Sequence, residues 1–221
     1  MIISPSRRFV FLHIPKTGGT ALTLALESRA RADDILIGDT PKARARKRRL
    51  AALTPAGRLW KHSTLADVAG VVPEDLTGWC VLTLVRNPWD RLLSYYHWLR
   101  AQSFDHSAVT LAKILDFSAF LNHPSTRAAF AAWPAAAYTR DATGVDRVTL
   151  AARVERLEAE LAPLWDHLGF RLTIPRANES DRPRDWRPAY SDADAALVAT
   201  LCAEDISRFG YSFDGLFTHQ G

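Results

Sequence analysis

Short apolar runs alternate along the chain with segments of helical periodicity. Residues 8–14 are rich in β-branched and aromatic side chains and stop at Pro15, and residues 79–85 form a second such run after Gly78. Both runs have the length of buried strands, and the helix-forming sequence between them favours a parallel pair. This alternation predicts an α/β fold with three layers, in which helices flank a central parallel sheet.

Apolar residues at helical spacing, together with capping residues, predict the helices. Residues 21–27 are predicted to form a helix that begins at a glycine turn. Asn87 suits an N-cap and Pro88 a first helical residue, so a second helix is predicted from there to about Ala101. The remaining predicted elements are helices over 111–121, 125–137, 157–168 and 198–209, a short strand over 145–150 and a loop over 178–190.

The composition suits one globular domain. The 221 residues fit a single domain over 1–221, and 48% hydrophobic residues is normal for a chain with a sizeable core. No apolar run approaches the ~18 residues of a membrane span, and residues 1–8 lack the apolar part of a signal peptide. A cytoplasmic location is therefore expected. Cys80 and Cys202 lie in apolar segments and are predicted to be reduced core thiols.

Much of the positive charge lies in one segment. Between Asp39 and Asp67 the chain has no acidic residue but eight basic ones: Lys42, Arg44, Arg46, Lys47, Arg48, Arg49, Arg58 and Lys61. Such a segment attracts nucleic acid, anionic lipid or an acidic substrate, or it is a solvated, mobile stretch of surface. Residues 29–61 form a basic insert without an assignable element, so both interpretations stay open.

A glycine-containing turn joins the first predicted strand to the first helix, with the sequence His13-Ile14-Pro15-Lys16-Thr17-Gly18-Gly19-Thr20. Glycines in this position let backbone N–H groups approach a phosphate, and the helix N-terminus adds positive potential. Lys16 adds a mobile charge, and the hydroxyls of Thr17 and Thr20 add donors. A Walker A loop has its lysine after the glycines, whereas Lys16 precedes them, so this turn predicts a phosphate site of another kind.

A second phosphate-binding signature follows the second predicted strand, in Arg86-Asn87-Pro88-Trp89-Asp90-Arg91-Leu92-Leu93-Ser94-Tyr95-Tyr96. Arg86 lies where that strand ends, which is the edge at which parallel α/β sheets bind ligands. Ser94 follows Asn87 by about two helical turns and therefore shares a helix face with it. One phosphate can meet the Arg86 guanidinium and the Ser94 hydroxyl together.

These two motifs, in this order, resemble those of the sulfotransferases that use PAPS (3′-phosphoadenosine 5′-phosphosulfate). The chain is most similar to soluble bacterial members of the carbohydrate branch, and the resemblance implies a P-loop-like fold. It implies that the 3′-phosphate is held by Arg86 and Ser94. Residues 178–182 and 205–211 fit the family's C-terminal pattern more loosely, which implies a nucleotide-binding role for Arg182. The resemblance also implies a 5′-phosphosulfate site made by consecutive loop residues: Lys16, Thr17, Gly18, Gly19, Thr20 and Ala21.

Sulfuryl transfer, as the resemblance implies it, is an in-line displacement in which the protein positions the reactants and neutralises charge. Lys16 is predicted to stabilise the charge on the departing 5′-phosphate. The acceptor hydroxyl needs a general base, and a His-x-Thr context similar to that of bacterial family members points to His62. His97, one turn after Ser94, is the alternative base, and His13 is predicted to be a core histidine. No residue cluster has metal-ligand spacing, so no metal is predicted.

The predicted products are PAP (adenosine 3′,5′-bisphosphate) and a sulfated acceptor. The acceptor is predicted to be a hydroxyl-bearing molecule, with a carbohydrate favoured. Because residues 44–49 run toward His62, we hypothesise that they form an electropositive entrance for an anionic saccharide. The sequence leaves the oligomeric state open.

Two alternative functions remain at the level of the sequence. One is a P-loop-type small-molecule kinase, which is disfavoured because the run 79–85 is followed by Arg86 rather than by a Mg²⁺-binding aspartate. The other is a non-catalytic module that binds polyanions through the basic insert. That insert has no aromatic residue before Trp60 and no nucleic-acid motif, so no nucleic-acid partner is predicted.

Overall fold

The computed structural model describes residues 1–175 and 182–216. These residues form two compact units: the first comprises residues 1–85 and 135–175, and the second comprises residues 86–134 and 182–216. The single domain over 1–221 stays a prediction. Within the described residues, no helix combines the length and the apolar character that crossing a membrane requires.

Strands and helices alternate in the first unit, whereas helices predominate in the second. The strands are β1 (Ile2–Ser4), β2 (Phe9–Leu12), β3 (Ile35–Leu36), β4 (Cys80–Val85), β5 (Leu150–Arg153), β6 (Tyr211–Ser212) and β7 (Gly215–Leu216). The α-helices are α1 (Gly19–Ser28), α2 (Pro41–Arg46), α3 (Pro88–Arg100), α4 (Ser107–Ile114), α5 (Phe117–Asn122), α6 (Pro124–Ala132), α7 (Ala135–Thr139), α8 (Leu157–Glu160), α9 (Ala162–Leu168), α10 (Asp192–Leu201) and α11 (Ala203–Phe209). Short 3-10 helices span Lys47–Ala52, Val154–Arg156 and Arg187–Ala189.

The first unit is built on a five-stranded sheet in the order β3-β1-β2-β4-β5. Strands β2, β4 and β5 run parallel, so that Phe11 lies opposite Leu82 and Leu82 opposite Leu150. Strand β1 runs antiparallel to both of its neighbours, which makes the sheet mixed. The α/β prediction and the two predicted central strands are therefore confirmed. Strands β1 and β3 are too short to give a recognisable pattern in the sequence.

Both faces of this sheet are covered, which explains why its central strands are continuously apolar. On one face, Phe11 and Leu82 pack with Leu22 of α1 and Leu164 of α9. On the other face, Val10, Leu12 and Val81 pack with Leu65 and Val68 from the turns that precede β4. Alternate residues of each strand thus enter different cores, so that every position of β2 and β4 is buried.

The second unit contains α3, which follows β4 directly in the chain. Asn87 caps it as predicted, because its side chain accepts a hydrogen bond from the backbone N–H of Trp89. The Asn87 amide also donates to the carbonyl of Ser212 at 2.8 Å and thereby ties the helix start to the β6–β7 hairpin. The buried face of α3, which includes Leu93, packs against Phe120 of α5. The predicted helix is confirmed.

Five predicted elements are wrong in their extent. The helices predicted over 125–137, 157–168 and 198–209 are each divided into two, namely α6 and α7, α8 and α9, and α10 and α11, and the last pair begins earlier than predicted, at Asp192. The other two cases have a visible cause. The helix predicted over 111–121 is divided into α4 and α5, because the Asp116 carboxylate accepts from the Ala119 N–H and caps a new helix. The strand predicted over 145–150 begins only at Leu150, where pairing with β4 starts. The residues before it belong to a turn in which the Asp141 carboxylate accepts from the N–H groups of Thr143 and Val145. Short polar side chains that bond nearby amides interrupt regular structure in this way.

Candidate functional site

The loop between β2 and α1 presents a helix N-terminus at the carboxyl edge of the sheet. Gly18 is the N-cap of α1 in a left-handed conformation with φ of 78°, and no side chain in the described part of the chain caps the helix. The N–H groups of the first helical turn therefore lack a side-chain acceptor, which is the condition for binding an anion there. Lys16 also has a positive φ, of 66°. A left-handed lysine is strained, and such strain collects at ligand-binding sites.

Packing explains both glycines of this loop. A Cβ atom at Gly19 would lie 2.3 Å from Cδ2 of His13, so the imidazole ring of His13 leaves no room for a side chain at the start of α1. A Cβ atom at Gly18 would lie 2.9 Å from Cγ2 of Val154, in a backbone conformation that L side chains rarely adopt. Glycine is therefore needed at both positions because protein atoms lie close to the backbone there. This reason adds to the one predicted from the sequence, which is that a phosphate approaches the same backbone closely.

The two loop threonines occupy different environments. Thr17 is buried, and its hydroxyl donates to the Ile14 carbonyl at 2.9 Å, which closes the turn. Thr20 is partly exposed at the first turn of α1 and lines a cavity. The Ala21 N–H donates to the Gly18 carbonyl at 3.3 Å. Of the two predicted hydroxyl donors, Thr20 is therefore the accessible one, whereas Thr17 holds the shape of the loop.

His62 lies against the end of β2 in a fixed orientation. Its Nδ1 is 2.6 Å from the His13 carbonyl oxygen, and because a carbonyl can only accept, Nδ1 carries the proton. The other ring nitrogen, Nε2, is then the unprotonated one in the neutral side chain. The ring meets those of His13 and Trp60 edge-on, with centroids 4.8 and 5.1 Å away. Burial lowers the pKa of His62 to about 4, so the imidazole is neutral at physiological pH.

His13 is buried, as predicted for a core histidine. Burial lowers its pKa well below the ordinary value, and the nearby positive charges of Lys61 and Lys16 act in the same direction. His13 therefore stays neutral and connects the end of β2 to two other parts of the first unit: its ring covers Gly19, and its carbonyl orients His62.

A cavity of about 270 Å³ opens beside the loop. His13 and Thr20 form part of its lining, together with Asp39, Thr40 and Lys61. The Lys61 ammonium donates to the Asp39 carboxylate at 2.6 Å, and both side chains are substantially exposed. The cavity thus joins the loop to an exposed ion pair.

The basic insert is ordered into β3, α2 and a 3-10 helix, and its arginines have different partners. Arg46 donates to the Arg31 carbonyl at 2.7 Å, and Arg49 donates to the Ala32 carbonyl at 2.5 Å. Both line a second cavity of about 320 Å³, which shares no lining residue with the cavity beside Thr20. The charge of Arg44, by contrast, lowers the pKa of Asp39 after the larger effect of its hydrogen bond from Lys61. Arg44 therefore acts near the first cavity through Asp39.

In the second unit, the predicted phosphate-binding residues surround one carboxylate, that of Asp90. Arg86 donates to Oδ2 of Asp90 through Nε at 2.7 Å and Nη2 at 2.6 Å. Arg182 donates to the other oxygen, Oδ1. One turn further along α3, the Ser94 hydroxyl is buried and has no hydrogen-bond partner within the described residues. We refer to Arg86, Asp90, Ser94 and Arg182 as the arginine cradle.

The sequence reasoning missed Asp90, although its spacing of four residues from Arg86 is that of a helical ion pair. The neighbouring residues 178–181 of the C-terminal pattern lie outside the described residues. Arg182, which the resemblance predicted, belongs to the arginine cradle, and its side chain is only 6% exposed. The cradle therefore brings together three of the predicted nucleotide-binding residues.

His97, the alternative base, lies in the electrostatic surroundings of the arginine cradle. Burial lowers its pKa, and the charges of Arg182 and Arg100 lower it further. Its ring contacts that of Tyr96 edge-on, at 5.6 Å between centroids. This position associates His97 with the predicted 3′-phosphate site.

Comparison with known proteins gives one family. A model described as "Sulfotransferase family" matches residues 1–213, a range that includes the loop, His62 and the arginine cradle. Among curated proteins there is no significant match.

Proposed function

The chain belongs to the sulfotransferase family, and from that premise we propose that it transfers the sulfuryl group of PAPS to the hydroxyl of an acceptor. The family assigns it as a transferase that acts on a hydroxyl-bearing acceptor. The donor, the residue roles and the acceptor class are our proposal. A cytoplasmic location, a soluble bacterial origin and the absence of a nucleic-acid partner stay predictions.

The proposed donor site has two parts. The first-turn amides of α1, the side chains of Lys16 and Thr20, and the loop backbone from Thr17 to Ala21 bind the 5′-phosphosulfate. The arginine cradle binds the 3′-phosphate. The Ser94 hydroxyl supports this assignment, because it is buried without a hydrogen-bond partner among the residues that the structure describes, and such a hydroxyl is costly unless a ligand supplies a partner. ATP lacks a 3′-phosphate and therefore cannot supply the Ser94 hydroxyl with a partner.

The proposed reaction exchanges one bond to sulfur for another. His62 accepts the proton of the acceptor hydroxyl at Nε2, the acceptor oxygen bonds to sulfur, and the bond from sulfur to the 5′-phosphate oxygen breaks. The electron pair stays on that oxygen, where the Lys16 ammonium stabilises it. PAP and the sulfated acceptor leave. The support is the fixed tautomer of His62 and the position of Lys16 at the start of α1.

The donor proposal predicts selective stabilisation by PAP. At a ligand concentration of about 100 times Kd, PAP should raise the free energy of unfolding by about 2.7 kcal/mol. For a chain of this size the melting temperature should rise by roughly 5–10 °C. Thermal unfolding with PAP, ATP and ATP plus Mg²⁺ measures this difference. Equal shifts with ATP and PAP, or a shift that requires Mg²⁺, would favour the kinase alternative.

The acceptor is proposed to enter the cavity beside Thr20. Hydroxyl groups of a saccharide find acceptors and donors there in Asp39, Thr40 and Lys61. The positive charges of Arg44 and Lys61 near the cavity favour a saccharide that carries negative charge. Arg46 and Arg49 are engaged with backbone carbonyls of the turn before β3, so they take a smaller part than the sequence hypothesis gave them.

Arg44→Gln is expected to raise the KM for an anionic saccharide by roughly 2- to 5-fold with kcat unchanged, as is usual for one exposed charge. Added salt should raise the wild-type KM as well, because exposed charges are screened over ~10 Å at 0.1 M salt. Arg48→Gln removes the same charge one turn further along and is the matched control. Should KM respond to neither Arg44→Gln nor salt, the acceptor is not selected by its charge.

A further inference from the structure

We propose that Asp90 is a positioning residue for the donor, whose carboxylate fixes the guanidinium groups of Arg86 and Arg182 in the arrangement that recognises a 3′-phosphate. This inference rests on the proposed function. Asp90 does not touch the phosphate in this account. It acts through the two arginines.

The geometry gives each carboxylate oxygen its own arginine. Oδ2 of Asp90 takes the Nε and Nη2 edge of Arg86, and Oδ1 takes Nη2 of Arg182. The three side chains are largely buried, with exposed fractions of 19% for Arg86, 10% for Asp90 and 6% for Arg182. Arginine recognises phosphate through a planar fork of N–H donors, so the orientation of the guanidinium plane decides the strength of binding.

The charges of the cradle also point to orientation rather than to simple attraction. A carboxylate repels a phosphate, so a site selected only for positive potential would lack Asp90. Two arginines and one aspartate carry a formal net charge of +1. Such a site binds a phosphate well only when its donors are already directed at the phosphate oxygens. Asp90 therefore weakens the electrostatic attraction between the arginine cradle and the phosphate, but it holds the two guanidinium groups in the orientation that binds the phosphate.

Ser94 independently indicates a ligand at this place. It follows Asp90 by four residues on α3, so the two side chains lie on the same helical face. Its hydroxyl oxygen is buried without a partner within the described residues, whereas buried hydroxyls are normally hydrogen-bonded. A phosphate oxygen held by Arg86 and Arg182 would supply the missing partner.

The test compares two nucleotides that differ only in the 3′-phosphate. The Kd values of PAP and of AMP are measured by titration calorimetry for the wild type and for Asp90→Asn, and the ratio of AMP to PAP gives the contribution of the 3′-phosphate. We expect Asp90→Asn to lower this ratio at least tenfold while the Kd of AMP changes less than twofold. Asp185→Asn breaks an exposed ion pair with Arg187 in the same unit and should leave the ratio unchanged.

A second variant covers the case in which Asp90→Asn does not fold. Asp90→Glu keeps the negative charge but moves the carboxylate by one methylene, so it should retain the fold and lower the ratio 3- to 10-fold. A folded Asp90 variant that keeps the wild-type ratio, binds PAP more tightly or weakens AMP and PAP equally would overturn the proposal and leave Asp90 a structural role. A wild type that does not distinguish PAP from AMP would instead contradict the proposed donor itself.

Discussion

Replacing His62 with alanine is expected to lower kcat by roughly 10²- to 10⁴-fold, the usual contribution of a general base. The physical reason is the fixed tautomer: the His13 carbonyl holds the proton on Nδ1, so Nε2 is the basic nitrogen. PAP affinity should stay within about twofold of the wild type, because His62 acts on the acceptor. Steady-state rates with saturating PAPS, together with PAP titrations, measure the two quantities separately.

The pH profile provides a second readout for His62. Burial lowers its pKa to about 4, and the base is active only when neutral. The wild-type kcat/KM should therefore stay constant as pH falls from about 8 to about 5 and decline only near pH 4, rather than near the ordinary histidine value of about 6.5. His97→Ala should change kcat less than tenfold. Normal turnover in His62→Ala combined with a large loss in His97→Ala would show that the base was assigned wrongly.

Replacing Lys16 with methionine is expected to lower kcat by roughly 10²- to 10³-fold, as for the loss of one donor to a developing oxyanion. Methionine has a similar length and volume but no charge. The loss should be larger in kcat than in PAP affinity, because the negative charge on the 5′-phosphate oxygen grows as the bond to sulfur breaks. Single-turnover rates and PAP titrations of the same variant measure this difference.

The control for Lys16 concerns the strained backbone. Lys16→Gly removes both the charge and the side chain from a position with positive φ, so it should lose the same catalytic factor without loss of thermal stability. Equal losses of kcat and PAP affinity in Lys16→Met would mean that Lys16 only binds the nucleotide and does not stabilise the leaving group.

The parts of the fold that the sequence predicted are those with strong local signals. Strand β4 is a continuous apolar run, α3 begins at an Asn-Pro cap, and the turn before α1 contains two glycines whose need is steric. Each of these signals lies within about ten residues of chain. The break at Asp116 shows the limit of such patterns, because one capping carboxylate outweighs the helical periodicity on either side of it.

The candidate site was only partly predictable, because its residues act through partners that are distant in sequence. The orientation of His62 depends on the carbonyl of His13, 49 residues away. Asp90 and Arg182 are 92 residues apart, so no local sequence pattern predicts their contact. The basic insert has a uniform charge in sequence, but its arginines differ in the structure. Arg46 and Arg49 donate hydrogen bonds to backbone carbonyls of the turn before β3, whereas the charge of Arg44 lowers the pKa of Asp39. Tertiary contacts distinguish these roles, and charge patterning alone does not.

Transfer of labelled sulfur is the most direct test of the proposed activity. The protein is incubated without divalent cations with PAPS that carries radioactive sulfur and with a mixture of neutral and acidic oligosaccharides. We predict that the label moves to a saccharide with one PAP formed for each sulfated product, and that His62→Ala stops both. Unchanged PAPS under these conditions, with labelled phosphate passing instead from ATP to an acceptor in the presence of Mg²⁺, would contradict the account.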